Sequence, residues 1–216
     1  MSRSPAYHDG VRPITVACHE AAAMIVEYGI TVPRPVILVD GGSGSGKTSL
    51  AAQVAQAWPH PLPLQTVCLD DVYPGWSGLA AGSRAVPGII AGPCPGYQRW
   101  DWDRARPAEQ VQLDPAAAVL VEGCGALSRV SARLATLRVW VEVDAAPRRA
   151  RALARDRGGF DPYWELWAAQ EHTHWRRNQP WRWADLLVAD PDRMTDLSYG
   201  RGFRYPARRE KRSAGR

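Results

Sequence analysis

The chain has 216 residues, of which 45% are hydrophobic and 23% charged, a composition that fits one globular domain with a real core and excludes disorder over most of its length. Its formal net charge is +5, but Arg201, Arg204, Arg208, Arg209, Lys211, Arg212 and Arg216 stand against the single acid Glu210. The excess therefore describes a basic tail, and nucleic acid is not expected as a partner. The four cysteines, Cys18, Cys68, Cys94 and Cys124, form no CxxC pair, which excludes a zinc ribbon or a disulfide framework and points to reduced thiols in a soluble, cytoplasmic protein. No apolar run is long enough for a membrane span.

In chain order, Ile14–Tyr28 has the apolar spacing of an amphipathic helix, with Val16, Ala23, Ile25 and Val26 among its apolar positions. Val36–Asp40 then forms a short apolar run that enters Gly41-Gly42-Ser43-Gly44-Ser45-Gly46-Lys47-Thr48, and Leu50, Val54, Ala55 and Trp58 continue at helical spacing. Further strands are predicted at Gln65–Leu69, Ala118–Glu122, Arg138–Val143 and Leu186–Val188. Helices are predicted at Asp103–Gln112, Ser128–Ala135, Pro147–Arg157 and Pro162–Arg177. Pro74–Gly96, dense in Gly and Pro, reads as a long loop. Alternating Val/Leu-rich strands and helices predict an α/β fold with a five-stranded parallel sheet covered on both faces. The expected division is an N-terminal helical extension packed on the core over 1–35, a P-loop domain over 36–193 with a helical lid at about 147–180, and a basic tail over 194–216.

The glycine loop obeys G-x-x-x-x-G-K-[ST] between a strand and a helix, the signature of a P-loop NTPase. Gly41, Gly42, Gly44 and Gly46 let the backbone approach phosphates closely, and with Ser43 and Ser45 they present successive N–H groups at a helix N-terminus. Lys47 supplies a cation between β- and γ-phosphates, and the Thr48 hydroxyl a ligand for Mg2+; Ser49 starts the helix behind them. ATP and Mg2+ are therefore the expected cofactors. No guanine-reading N-K-x-D and no transporter signature follows, so switch GTPases and transporter ATPases are set aside.

Downstream, acids stand at strand ends, where ligands bind in parallel sheets. Leu69-Asp70-Asp71-Val72-Tyr73 follows the second strand, and Glu122 ends the strand Val119-Leu120-Val121. A carboxylate at Asp70 could take a proton from an attacking hydroxyl or help organise Mg2+; the alternative is an ordinary turn or helix cap. Trp100-Asp101-Trp102-Asp103 could face a ligand, or pack the core and cap a helix. Arg148, Arg151 and Arg155 lie three and four apart, the spacing of one helical face. His172 and His174, two apart on a helix, point to different sides and complete no H-E-x-x-H motif with Glu171. Trp164, Trp167, Trp175, Trp181 and Trp183 have spacings that favour packing of the lid helices.

Taken together, these motifs resemble the uridine kinase-like group of P-loop kinases, which includes nicotinamide riboside kinases and phosphoribulokinases. Asp70-Asp71-Val72-Tyr73 is similar to their D-[DS]-F-[YF], with Val72 in place of an aromatic residue. Arg148, Arg151 and Arg155 with Asp156 resemble the R-x-x-R-x-x-x-R-D of their lid helix. The resemblance implies a transfer of the γ-phosphate of ATP to a hydroxyl of a small nucleoside-like molecule. It implies Asp70 as base, Tyr73 as a pocket wall, Asp101 on the sugar hydroxyls and Trp100 stacked on a planar ring. Glu122, with Thr48 and Asp70, is the implied Mg2+ set, and Arg148, Arg151 and Arg155 the implied phosphate grip. The usual D-H-P is replaced by Trp100-Asp101-Trp102, so no histidine is available to read a pyrimidine edge. Two other readings stay open at this stage. One is a nucleotide-binding regulatory protein that uses its basic tail on a partner; the other is a nucleoside monophosphate kinase using Arg84 and Arg99. No membrane association is expected, and the oligomeric state is left open, a homodimer included.

Overall fold

The computed structural model describes residues 14–59, 61–155 and 158–189. In chain order these form β1 (Ile14–Ala17), α1 (Cys18–Gly29), β2 (Val36–Gly41), α2 (Lys47–Ala57), β3 (Leu64–Cys68), α3 (Leu79–Ala91), β4 (Gly96–Asp101), β5 (Arg106–Gln112), β6 (Ala118–Glu122), α4 (Ser131–Leu134), β7 (Leu137–Glu142), α5 (Ala145–Arg155), α6 (Trp164–Asn178) and β8 (Leu186–Ala189). Six strands make one sheet in the order β1-β8-β7-β2-β6-β3, every pair parallel.

Strand periodicity divides the core in two. Side chains alternate between faces along a strand, so Val36 and Leu38 of β2, with Val67, Val119 and Val121, enter one cluster beside α3 and Trp164 and Trp167 of α6. Ile37 and Val39, with Leu120, Val139, Val141 and Val188, enter the other, under α1 and α2. Burial on both faces is why these strands read as continuous apolar runs. From β2 the chain goes to β3 on one side, while β7, β8 and β1 lie on the other. The C-terminal end of β2 is therefore a topological switch point, the place where open parallel sheets bind ligands.

Three sequence expectations are corrected. Ile14–Ala17 is a sixth strand, paired with β8 in the register Ile14↔Leu186, and the helix starts only at Cys18; four residues are too few to show a period of two. Asp103–Gln112 is not a helix: β4 and β5 form an antiparallel hairpin with a register irregularity between Gln98 and Trp100. Most of β5 is exposed, so no apolar alternation marks it, although Pro107 fits a strand with a free edge better than a helix interior. Pro74–Gly96 is not one long loop but contains the 13-residue helix α3. Its glycines mimic a loop, yet Gly82 is there for packing: a Cβ added to it would lie 2.5 Å from Cδ1 of the fully buried Tyr73. Asp156 and Arg157 of the expected lid, and the tail 194–216, lie outside the described residues. Among the described residues no helix is long and apolar enough to cross a membrane.

In an unhindered helix, replacing glycine by alanine stabilises by about 1 kcal/mol. At Gly82 the clash with Tyr73 should reverse that sign, and Gly82→Ala is expected to destabilise by roughly 1–3 kcal/mol. Thermal unfolding of the two proteins measures this; a higher melting temperature for Gly82→Ala would contradict the packing of α3 on Tyr73.

Candidate active site

The chain leaves β2 at Gly41 and enters α2 at Lys47, and the intervening turn depends on its glycines. Gly44 and Gly46 have φ of +76° and +97°, a region that side chains rarely adopt. Close approach constrains the loop as well, since a Cβ on Gly42 would lie 2.1 Å from the Arg148 guanidinium, and one on Gly44 2.1 Å from the Arg148 carbonyl oxygen. A Cβ on Gly46 would meet nothing within 4 Å. The loop is thus packed against protein at Gly42 and Gly44 and open at Gly46, beside the N-terminus of α2.

Lys47 is buried, and its Nζ donates to the Gly42 carbonyl at 3.0 Å. Burial alone would lower its pKa, but the acidic groups of Cys124, Glu122, Glu171 and Asp40 outweigh that and hold it above the ordinary lysine range. Thr48 donates through Oγ1 to Oε1 of Glu122 at 3.0 Å, and Glu122, at the end of β6, is itself buried. Cys68 lies opposite Glu122 in the β3–β6 register. Burial, with Glu122 and Asp70 nearby, pushes its thiol pKa up. Ser49 is exposed on α2, and the Ser45 hydroxyl is buried without a hydrogen-bond partner among the described residues.

Asp70 lies in a single 3-10 turn, Leu69–Asp71, directly after β3, and is exposed. Its carbonyl accepts the indole N–H of Trp102 at 2.8 Å, which ties the β4–β5 hairpin to this turn. Tyr73 is fully buried; its hydroxyl donates to the Cys124 carbonyl at 2.8 Å and its ring meets Trp167 edge-on. The structure therefore gives Tyr73 a core position rather than an open pocket wall. Asp101 accepts the Arg104 backbone N–H at 3.0 Å and its guanidinium at 3.3 Å, and the N–H bond holds its carboxyl below the usual range. It caps the hairpin turn. Trp100, on β4, is partly buried, and its indole N–H has no hydrogen-bond partner among the described residues. Around the same turn Trp76 stacks on Tyr163, with ring centroids 4.4 Å apart, and lies 4.9 Å from Trp102.

The three arginines do not form one exposed stripe. Arg151 and Arg155 are exposed on α5, whereas Arg148 is 7% exposed. The buried face of α5 runs through Arg148 and Ala152, one turn apart, and Arg148 is drawn beneath the glycine loop because a carboxylate waits there. That carboxylate, Glu171 of α6, is among the residues that sequence reasoning missed. It accepts the Ser43 N–H at 2.7 Å and pairs with Arg148 at 3.4 Å. Asp40, fully buried, accepts the N–H groups of Gly41, Gly125 and Leu127, fastening the start of the loop to the segment after β6. Burial raises its pKa, opposed by His174 and these three N–H bonds. His174 lies 3.9 Å from Asp40, and its Nε2 is 3.0 Å from the Leu127 carbonyl. A signal for these residues does exist. Trp164, Trp167, Glu171 and His174 recur at helical steps of three and four and are the buried residues of α6, so an acid and a histidine share a face with two core tryptophans.

No family model matches the chain. A uridine kinase of Halobacterium salinarum is 26% identical over 147 residues, 59% of this chain and 64% of that protein, so the chain spans less than two thirds of that relative's length. Among solved structures, a chain from Bacillus stearothermophilus provisionally described as a uridine kinase aligns with a TM-score of 0.56 at 15% identity, over 79% of this chain and 98% of its own. One from Silicibacter sp. TM1040, provisionally described as a fructose transport system kinase, aligns with a TM-score of 0.51 at 17% identity, over 80% and 98%. At those identities the solved structures speak for the fold alone. In sequence and in fold, the chain is similar to the uridine kinase-like group of P-loop small-molecule kinases.

Proposed function

We propose that this protein is a kinase that moves the γ-phosphate of ATP to a hydroxyl of a small, nucleoside-like molecule. The observation that carries the proposal is the glycine loop with Lys47 at the switch point of the sheet, beside the Thr48–Glu122 pair 3.0 Å apart, with Asp70 two residues beyond Cys68, the register partner of Glu122. The loop fits a polyphosphate, being open where Gly46 faces and cationic at Lys47. Thr48, Glu122 and Asp70 form an all-oxygen donor set suited to Mg2+, which when bound neutralises phosphate charge. Asp70, exposed at the strand end, is assigned the proton of the attacking hydroxyl. Arg151 and Arg155, exposed on α5, are assigned to the charge that spreads over the transferring group, while Arg148 acts from below the loop.

The acceptor is assigned to the space between Asp70 and the β4–β5 hairpin, because Trp102 joins these two elements directly. Trp100 and Asp101 belong to that hairpin. An acceptor diol on Asp101 would have to share the carboxylate with Arg104. The hairpin, the name of the haloarchaeal relative and the resemblance of Trp100-Asp101 together support a nucleoside-like acceptor. Arg99 is engaged by Glu109 at 2.8 Å and Asp71 at 3.6 Å, which weighs against its gripping an acceptor phosphate.

Lys47→Ala and Asp70→Asn should each lower turnover at least about a hundredfold, the scale of losing one preorganised group. Mg2+-dependent ADP release, screened over nucleosides, sugars and small alcohols, measures this; near-normal turnover of Asp70→Asn would remove it from the role of base. Glu122→Gln keeps the hydrogen bond from Thr48 but loses the charge. It should raise the Mg2+ concentration for half-maximal rate about tenfold or more, and an unshifted Mg2+ titration would take Glu122 out of the metal set.

A further inference from the structure

One carboxylate beneath the glycine loop contacts groups from three segments of the chain. Glu171, 2% exposed, accepts the Ser43 N–H at 2.7 Å and the Cys124 thiol at 3.3 Å on Oε1, and holds Nη1 of Arg148 at 3.4 Å on Oε2. Nη1 of Arg148 also donates to the Ser43 carbonyl at 3.0 Å, and its Nε donates to the Val143 carbonyl at 3.2 Å. The N–H and the C=O of one loop residue are therefore both taken by a single ion pair. Its members come from α5 and α6, the two helices of the expected lid.

Burying two charges costs several kcal/mol of desolvation, so such a pair is weak evidence for stability by itself. What this pair does is geometric. Ser43 lies between Gly42 and Gly44, residues with little conformational preference of their own, and a loop free to choose among backbone states would have to be ordered by the incoming phosphates. Gripping both polar groups of Ser43 removes that choice. The adjacent residue of α6 reaches the other side of the site, since Gln170 donates to the Trp76 carbonyl at 2.7 Å.

We propose that Glu171 is a positioning residue for nucleotide binding: paired with Arg148, it holds Ser43 so that the phosphate-facing backbone of Gly44–Thr48 is set before ATP arrives. The inference rests on the kinase reading, and the experiment separates the two. Mg-ATP is titrated calorimetrically into the wild-type chain, into Glu171→Ala, and into the double variant Glu171→Leu/Arg148→Met, which removes both grips on Ser43 and leaves neither charge of the pair unpartnered. A melting curve establishes that each is folded. Both variants are expected to raise the Kd for ATP about tenfold or more, the scale of losing a charge-assisted hydrogen bond. A purely structural role would lower the melting temperature and leave the Kd of the folded protein unchanged. Wild-type affinity in the folded double variant overturns the proposal, whatever becomes of Glu171→Ala. A folded wild-type chain that binds no ATP overturns the kinase reading instead.

Discussion

A tight glycine loop is a problem of unpaired backbone. Residues 42–46 belong to neither β2 nor α2, and buried N–H and C=O groups left without partners cost about 1–3 kcal/mol each. Much of the architecture answers that constraint. Asp40 takes the N–H of Gly41 at the entry to the loop, Glu171 and Arg148 take both groups of Ser43, Lys47 takes the carbonyl of Gly42, and Ser45 N–H closes on Gly42. Through Asp40 the same network reaches Gly125 and Leu127. The segment after β6 and the two helices α5 and α6 are thereby anchored to the glycine loop.

The parallel sheet explains why these groups can meet at all. Strands β2, β3 and β6 run side by side in one direction, so the residues at or just beyond their C-terminal ends, Gly41 onward, Asp70 and Glu122, arrive at one end of the sheet. Cys68↔Glu122 and Val39↔Glu122 are register partners, and two residues beyond Cys68 the chain has reached Asp70. The antiparallel hairpin stands outside this sheet and is fastened to it by Trp102 on the Asp70 carbonyl. Its own geometry is held by Asp101 on Arg104 and by Arg99 between Asp71 and Glu109.

The central elements were legible because burial on both faces writes uninterrupted apolar runs, and because a P-loop has no freedom in its glycines. Ala118–Glu122 is legible with its bounds intact for the first reason. The hairpin was not legible, since β5 exposes nearly every side chain and so carries no alternation; its charges looked like a solvated helix. Helix α3 hid behind Gly78, Gly82, Pro87 and Gly88, residues that ordinarily break helices. At Gly82 the absent side chain makes room for Tyr73. Spacing placed Arg148 with Arg151 and Arg155, yet spacing cannot say which residue of a basic stripe has a buried carboxylate to meet. Only Glu171, 23 residues further along the chain, decides that.

The central claim is phosphoryl transfer at the loop, and its most direct measurement follows a label on the γ-phosphate of ATP. With Mg2+ and a panel of nucleosides, the account predicts labelled phosphate esterified to a hydroxyl of one of them. Release of the label to water at the same rate with and without every acceptor would contradict it.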